Sequence, residues 1–205
     1  MKTAKRLLAI GVASISAIFV SCSQIAPRDS QSRGSLVYIA LQPDSPEMVS
    51  LDEDILDKLS KQAWDNKWIV VDVARGSTVE NIYSSGGSRR AIQELIDLVK
   101  ATPSDDQALI QSVQRCLDQA RGNGGRRPVH CLIVTPGTSN PSTHQSIYYL
   151  CDKLAKANIP NVHLYFVGVS PSNRIPLASA VKPIAGYVNS AGDSDFEWGE
   201  LLTQF

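Results

Sequence analysis

The sequence predicts an α/β fold: a three-layer, doubly wound, mostly parallel sheet with one antiparallel edge strand. Apolar runs without alternation at residues 36–41, 129–135 and 162–169 are typical of strands covered on both faces. Segments with helical apolar periodicity separate these runs, and strands that alternate with helices pair in parallel. Residues 78–83 instead alternate in polarity, which indicates an edge strand.

The first half of the domain alternates buried strands with helices. Ser50 followed by Leu51-Asp52-Glu53-Asp54 predicts a helix start, because a serine cap and acids in the first turn stabilise a helix N-terminus. Residues 75–77, with Gly76 in the middle, form a short link between two predicted strands, which indicates a hairpin. The predicted elements are strand 36–41, helix 51–66, strands 68–74 and 78–83, and helices 89–100 and 105–121.

The second half begins with a β-α-β unit, whose two strands we expect to be parallel with a right-handed crossover. The predicted elements are strand 129–135, helix 142–158, strand 162–169, a short helix 177–181, strand 185–189, and a closing helix from 193–195 to 205.

The overall charge argues against nucleic acid as a partner. The chain has 20 basic and 20 acidic residues, and residues 1–21 carry three of the basic ones and no acid. The remainder has 17 basic against 20 acidic residues. Such a balance gives no electrostatic footprint for nucleic acid.

Residues 1–21 have the pattern of an export signal. Lys2, Lys5 and Arg6 precede an uncharged, mostly apolar stretch at 7–20, which is too short to favour a membrane-spanning helix. Phe19-Val20-Ser21-Cys22 resembles the lipobox of bacterial lipoproteins, although Phe19 replaces the usual leucine. The resemblance implies acylation of Cys22 and attachment to the lipid bilayer. An ordinary cleaved signal and an uncleaved anchor are the alternatives.

Three regions follow from this pattern. Residues 1–21 form the signal peptide, residues 22–34 a lipidated flexible tether, and residues 35–205 the α/β domain. The tether is polar and rich in serine, so it cannot bury enough apolar surface to order itself. We expect an exported protein, anchored by lipid to the extracytoplasmic face of a bacterial membrane.

Residues 35–205 resemble a von Willebrand factor type A (VWA) domain. The first strand ends at the polar loop Gln42-Pro43-Asp44-Ser45-Pro46, Leu132–Gly137 is similar to the family's "TDG" segment, and Val167-Gly168-Val169-Ser170 is similar to its later glycine motif. Domains of this family often bind a divalent cation through an Asp-x-Ser-x-Ser loop, a threonine and the "TDG" aspartate, all of them oxygen ligands.

This sequence departs from that ligand pattern. Gln42 stands at the first aspartate and Pro136 at the "TDG" aspartate. Asp44 and Ser45 offer oxygens if the register slips, and Thr102 or Ser104 falls near the threonine position. We therefore expect no tight metal site and no cofactor, and Asp44-Ser45 also fits an ordinary turn.

The resemblance and the topology together predict a non-catalytic protein–protein interaction module. A doubly wound sheet places its binding crevice at the carboxyl ends of its strands, here loops 42–50, 102–106, 135–145 and 170–176. The candidate partner-binding residues are Asp44, Ser45, Thr135, Thr138, Ser139 and Asn140.

The alternative is a periplasmic small-anion receptor or hydrolase that uses residues 84–90. Gly86-Gly87 precede Ser88, Arg89 and Arg90 at a predicted helix start, a setting in which backbone N–H groups and guanidinium groups can hold an anion. The same residues also fit a plain turn with Ser88 as the helix cap. The alternative requires Arg89 and Arg90 to converge on the strand-end crevice.

The cysteines and histidines give a weaker signal. Cys116, Cys131 and Cys151 lack metal-binding spacing, so we interpret them as small buried residues, two of which could pair in an oxidising compartment. His130 and Cys131 are neighbours on a strand and point to opposite faces, so they cannot form a nucleophile–base pair. We predict no catalytic residue.

Overall fold

A computed structural model describes residues 34–61 and 67–191, with side chains through residue 188. The strands are β1 (Leu36–Leu41), β2 (Trp68–Arg75), β3 (Thr78–Gly86), β4 (Val129–Val134), β5 (Val162–Val167) and β6 (Val188–Ala191). The helices are α1 (Pro46–Lys61), α2 (Arg89–Ile96), α3 (Asp106–Asn123), α4 (Pro141–Ala157) and α5 (Pro171–Ala180), followed by a 3-10 turn at Lys182–Ile184.

The six strands form one sheet in the order β3-β2-β1-β4-β5-β6. Only β3 is antiparallel to its neighbour within the part of the chain that is described. β3 follows β2 through a two-residue loop, and Gly76 takes the positive φ of +58° that a tight hairpin needs. The predicted mostly parallel sheet with an antiparallel edge is confirmed.

Helices cover both faces of the sheet and enclose two apolar cores. One core joins alternate residues of β1, β4 and β5 to α3, α4 and α5. The other joins the remaining strand residues to α1 and α2. β1 and β4 are buried along their whole length. Because helices cover both faces of these strands, their side chains are mostly apolar, as the sequence predicted.

Helix α1 begins five residues before its predicted start. Ser45 accepts a hydrogen bond from the Met48 N–H at 3.3 Å, and Pro46 occupies the first turn, where a proline is tolerated. Asp52 therefore lies in the second turn rather than the first. The predicted end of this helix at Asn66 lies outside the described residues.

Other boundaries also differ from the predictions. β3 extends through Ser84–Gly86, which the sequence assigned to a loop, and α2 ends at Ile96 rather than Lys100. α5 begins at Pro171 instead of Leu177, and β6 spans 188–191 rather than 185–189. The closing helix predicted to reach residue 205 lies outside the described residues, as do the predicted signal peptide and the predicted tether through residue 33.

Candidate functional site

The loops at the carboxyl ends of β1, β2, β4 and β5 meet at one end of the sheet. We call this end the strand-end face and define it by loops 42–45, 102–106, 135–140 and 168–173. Thr102 N–H donates to the Pro43 carbonyl at 3.0 Å, and Ser170 N–H donates to the Pro136 carbonyl at 3.0 Å. Backbone hydrogen bonds therefore tie these loops together in pairs.

Gln42, Asp44 and Ser104 form a side-chain network in the middle of this face. Gln42 Nε2 donates to Ser104 Oγ at 2.7 Å, and Ser104 Oγ donates to Asp44 Oδ1 at 2.6 Å. Ser104 N–H donates to the same carboxylate oxygen at 2.8 Å. The glutamine amide thus links the end of β1 to the loop before α3 by one hydrogen bond between neutral groups.

This set of groups does not fit the family's divalent cation. An amide takes the place of the first aspartate, and Asp44 Oδ1 already accepts two hydrogen bonds from Ser104. At the position of the "TDG" aspartate, the Pro136 carbonyl accepts from Asn173 Nδ2 at 3.1 Å. Too little negative charge remains at these positions to replace the hydration shell of a divalent ion.

Thr135 and Gly137 hold the loop after β4. Thr135 is fully buried, and its Oγ1 accepts from Gly137 N–H at 3.0 Å. Gly137 has φ +74°, and a Cβ there would lie 3.0 Å from the Asn173 Cβ. Thr135 was predicted to contact a partner, but a fully buried side chain cannot do so, and its role is to position the loop.

The other predicted residues after β4 surround Asp106, which opens α3. Asp106 Oδ2 accepts from Asn140 Nδ2 at 2.7 Å and from Thr143 Oγ1 at 2.9 Å. Burial raises the pKa of Asp106, but hydrogen bonds from Thr138, Asn140 and Thr143, together with the nearby His144, outweigh burial and lower it. The carboxylate is therefore ionised and holds the N-termini of α3 and α4 together.

A groove of about 550 Å³ runs between these two helix N-termini. Its walls carry Asp105, Asp106, Gln107, Ile110, Asn140, Ser142, Thr143 and Ser146. Ser139 and Asn140 are exposed beside it, whereas Asp44, Ser45 and Thr138 are partly exposed. With Thr135 as the exception, the predicted partner-binding residues have side chains on the accessible strand-end face.

Residues 84–90 lie at the other end of the sheet. β3 is antiparallel, so Gly86 pairs with Trp68 at the start of β2. Ser88 caps α2 by accepting from Ala91 N–H at 3.4 Å, and Arg90, whose side chain is 91% exposed, pairs with Glu94 at 2.9 Å. Arg89 and Arg90 do not converge on the strand-end crevice.

The three thiols of the domain, together with His130 and His163, are apart from the strand-end face, whereas a ring nitrogen of His144 lies 2.9 Å from the Thr138 carbonyl oxygen on that face. Cys116, Cys131 and Cys151 are free and buried in the core under α3 and α4. Cys131 Sγ lies 3.8 Å from the Cys116 carbonyl oxygen. His130 stacks instead on His163 of the adjacent strand, with ring centroids 5.0 Å apart.

Two buried acids were not singled out by the sequence reading. Asp72 in β2 is 2% exposed and accepts hydrogen bonds from Tyr38, Asn81 and Arg115. Asp52 in α1 is fully buried, and neither of its carboxylate oxygens has a hydrogen-bond partner. An aspartate inside the apolar run of β2 could have indicated a buried acid. Asp52 was instead assigned to the exposed first turn of a helix, because the start of α1 was predicted five residues too late.

Solved structures with VWA-type domains have the same fold. An aerotolerance-related membrane protein from Bacteroides fragilis gives a TM-score of 0.57 at 9% identity, covering 83% of this chain and 98% of that chain. BatB from Bacteroides thetaiotaomicron gives 0.52 at 8% identity, covering 83% and 95%. A von Willebrand factor type A protein from Catenulispora acidiphila gives 0.50 at 13% identity, covering 83% and 40%.

At these identities the likeness is one of fold. No family model matches the chain, and no curated protein matches its sequence. The fold is therefore VWA-like: a three-layer α/β sandwich whose sheet carries one antiparallel strand. In the described ranges 34–61 and 67–191, no helix is long and apolar enough to cross a membrane.

Proposed function

We propose that this chain is a membrane-anchored lipoprotein whose VWA-like domain is a non-catalytic protein–protein interaction module. The observation that carries the proposal is the strand-end face. Its loops are tied by hydrogen bonds, while Ser139, Asn140 and the groove beside Asp106 remain accessible. Loops fixed before contact lose little conformational freedom on binding, which favours recognition of another folded surface.

The geometry favours this function over the small-anion receptor or hydrolase. That alternative needs Arg89 and Arg90 in the strand-end crevice, but both lie beyond β3 at the opposite end of the sheet. The exposed Arg90–Glu94 pair on α2 is an ordinary i,i+4 contact of a solvated helix face. Inorganic phosphate should therefore leave the melting temperature unchanged.

The anchor rests on the sequence alone. Acyl chains on Cys22 and a polar tether through residue 34 would hold the domain at the membrane, free to meet a partner at its surface. One of the solved structures similar in fold is itself described as a membrane protein, in keeping with this placement.

Co-purification from detergent-solubilised membranes tests both parts. We expect a defined partner to co-purify with the native chain and to be lost from a Ser139→Arg/Asn140→Arg variant, which places bulk on the strand-end face. A matched Arg89→Glu/Arg90→Glu variant should retain the partner. Cys22→Ala should move the chain from the membrane to the soluble fraction.

Two results would contradict the proposal. Retention of the partner by the Ser139→Arg/Asn140→Arg variant would contradict the proposal that the strand-end face is the binding surface. Unchanged membrane attachment of the Cys22→Ala chain would contradict the proposed lipid anchor, but it would not affect the proposed interaction module.

A further inference from the structure

Three thiols share the core between α3, β4 and α4. Cys116 lies in α3, Cys131 in β4 and Cys151 in α4, and all three side chains are fully buried. They belong to the same apolar cluster. The spacing of these residues in the sequence does not indicate which two would pair in an oxidising compartment, so the choice rests on their contacts in the fold.

Cys116 and Cys131 contact each other across the space between α3 and β4. The Cys131 thiol donates to the Cys116 carbonyl oxygen at 3.8 Å, so its sulfur lies against the backbone of Cys116 itself. A disulfide requires two cysteines whose backbones are close and whose side chains face the same space. The contact through the Cys131 thiol gives this pair the closeness that a disulfide needs.

The electrostatics of the thiols agree with this contact and set Cys151 apart. Burial raises the pKa of Cys116 most, and a hydrogen bond with the Cys131 thiol raises it further, whereas Cys151 acts on Cys116 only through its charge. Burial alone raises the pKa of Cys151, to about 12. Cys151 is therefore near the other two thiols but is not in the same direct contact.

We propose that Cys116 and Cys131 form a disulfide between α3 and β4, and that Cys151 stays reduced. The two thiols lose two protons and two electrons as the S–S bond forms, and a small-molecule or protein disulfide accepts them and leaves as two thiols. Because the thiols are buried in the folded domain, this exchange takes place while α3 docks on β4 during folding. The bond is independent of the proposed interaction face, and in a cell it requires the oxidising compartment that the proposed export provides.

Oxidative refolding of the full-length Cys22→Ala chain in detergent tests the pairing, since only these three thiols remain in it. The reduced chain is refolded from urea with reduced and oxidised glutathione, and mass spectrometry of its unreduced peptides identifies the pairs. A second sample, exported to a bacterial periplasm and alkylated at lysis, needs no refolding. We expect the Cys116–Cys131 pair as the main product in both. Because the two residues are 15 positions apart, closing this loop should raise Tm by roughly 6–12 °C over the reduced chain.

Alanine substitutions at the three positions give matched controls, because each removes one thiol from the same core. Cys116→Ala and Cys131→Ala should stay reduced and have the same Tm with and without oxidised glutathione. Cys151→Ala should form the bond and keep the rise in Tm. The proposal is overturned if Cys151 is part of the main disulfide, if the parent chain stays reduced in both samples, or if oxidation does not raise Tm.

Discussion

Asp72 accepts hydrogen bonds from three side chains in the interior. Tyr38 Oη donates to it at 2.9 Å, Asn81 Nδ2 at 2.7 Å and Arg115 Nη1 at 3.1 Å. Burial, followed by the charge of Asp72, raises the pKa of Tyr38 well above its ordinary value, so the tyrosine keeps its proton and remains a donor. This network joins β1, β2, β3 and α3.

Removing the Asp72 carboxylate should strongly destabilise the fold. Asp72→Ala leaves the Tyr38 hydroxyl and the Arg115 guanidinium without their acceptor, and we expect a loss of about 3 kcal/mol in the free energy of unfolding. The Arg115 side chain is 34% exposed, so water can solvate its guanidinium after the substitution. The loss in the free energy of unfolding is therefore at the lower end of the range for buried ion pairs. Tyr38→Phe, which deletes one hydrogen bond, should cost about 1 kcal/mol. Urea unfolding measures both, and equal losses would contradict the network.

Asp52 makes the free energy of unfolding depend on pH. Its pKa is about 8 in the folded state against an ordinary value of 3.8, so the folded chain binds the proton more tightly than the unfolded chain. The stabilisation from this proton is complete below about pH 4 and is lost as the pH rises towards 8.

Asp52→Asn removes that dependence. The variant should gain stability over the wild type as the pH rises from 4 to 8, by at most about 1.4 kcal/mol per pH unit. Urea unfolding at pH 4.5, 6 and 7.5 measures the difference. A difference that stays constant over this range would mean that Asp52 titrates normally.

At the residue scale, the sequence predicted surface polar groups better than buried ones. Ser139 and Asn140 are exposed as expected, because polar residues between a strand and a helix rarely lie inside. Thr135 is buried because it is the first residue after β4, and its hydroxyl finds its partner locally. Two of the three partners of Asp72, Tyr38 and Arg115, are 34 and 43 residues away in sequence, and no local pattern indicates such contacts.

Ser104 joins two loops of the strand-end face. Its hydroxyl accepts from Gln42 and donates to Asp44. Ser104→Ala removes both of these side-chain bonds, keeps the bond from the Ser104 N–H to Asp44, and leaves the Gln42 amide, 6% exposed, without its acceptor. We expect a loss of about 1–2 kcal/mol and faster amide exchange confined to loops 42–45 and 102–105.

Ser179→Ala is a matched control for this prediction, because its hydroxyl bonds only within α5 to the Ile175 carbonyl. Hydrogen exchange of the two variants separates a local effect from a global one. Uniform acceleration across α3 and β1 in Ser104→Ala would show that the loops are not a separable unit.

The three thiols belong to the packing between α3, β4 and α4. Burial raises the pKa of Cys151 to about 12 and holds that of Cys116 well above its ordinary value. Since the thiolate is the reactive form, a thiol reagent at pH 7.5 should modify these side chains at least 100-fold more slowly in the folded domain than in urea. Rapid modification of the folded Cys22→Ala chain would contradict this packing.

At the element scale, prediction succeeded where one signal dominates. β1, β4 and β5 were found to within two residues because their apolar runs are long and unbroken. α1 and α5 were misplaced because each begins with a proline, Pro46 and Pro171. Proline is common both in turns and in the first turn of a helix, so the local sequence does not distinguish a turn from a helix start.

At the scale of the whole molecule, the sheet separates two polar regions. The strand-end face lies where β1, β2, β4 and β5 end, whereas residues 84–90 and the His130–His163 stack lie where the parallel strands begin. The parallel order was predictable from the alternation of strands and helices. The strand order is a long-range property that no local pattern indicates, and the sequence analysis did not predict it. Only the resemblance to VWA domains suggested that Ser104 falls near a ligand position of that family.

Photo-crosslinking at defined sites tests the proposed interaction face most directly. A photoreactive amino acid is placed at Ser139 on the strand-end face or at Glu94 on α2, and the chain is irradiated in its native membrane. Both positions are exposed, so access is matched. We predict one discrete crosslinked partner from Ser139 and none from Glu94. The same partner from both positions, or a crosslink from Glu94 alone, would contradict recognition through the strand-end face.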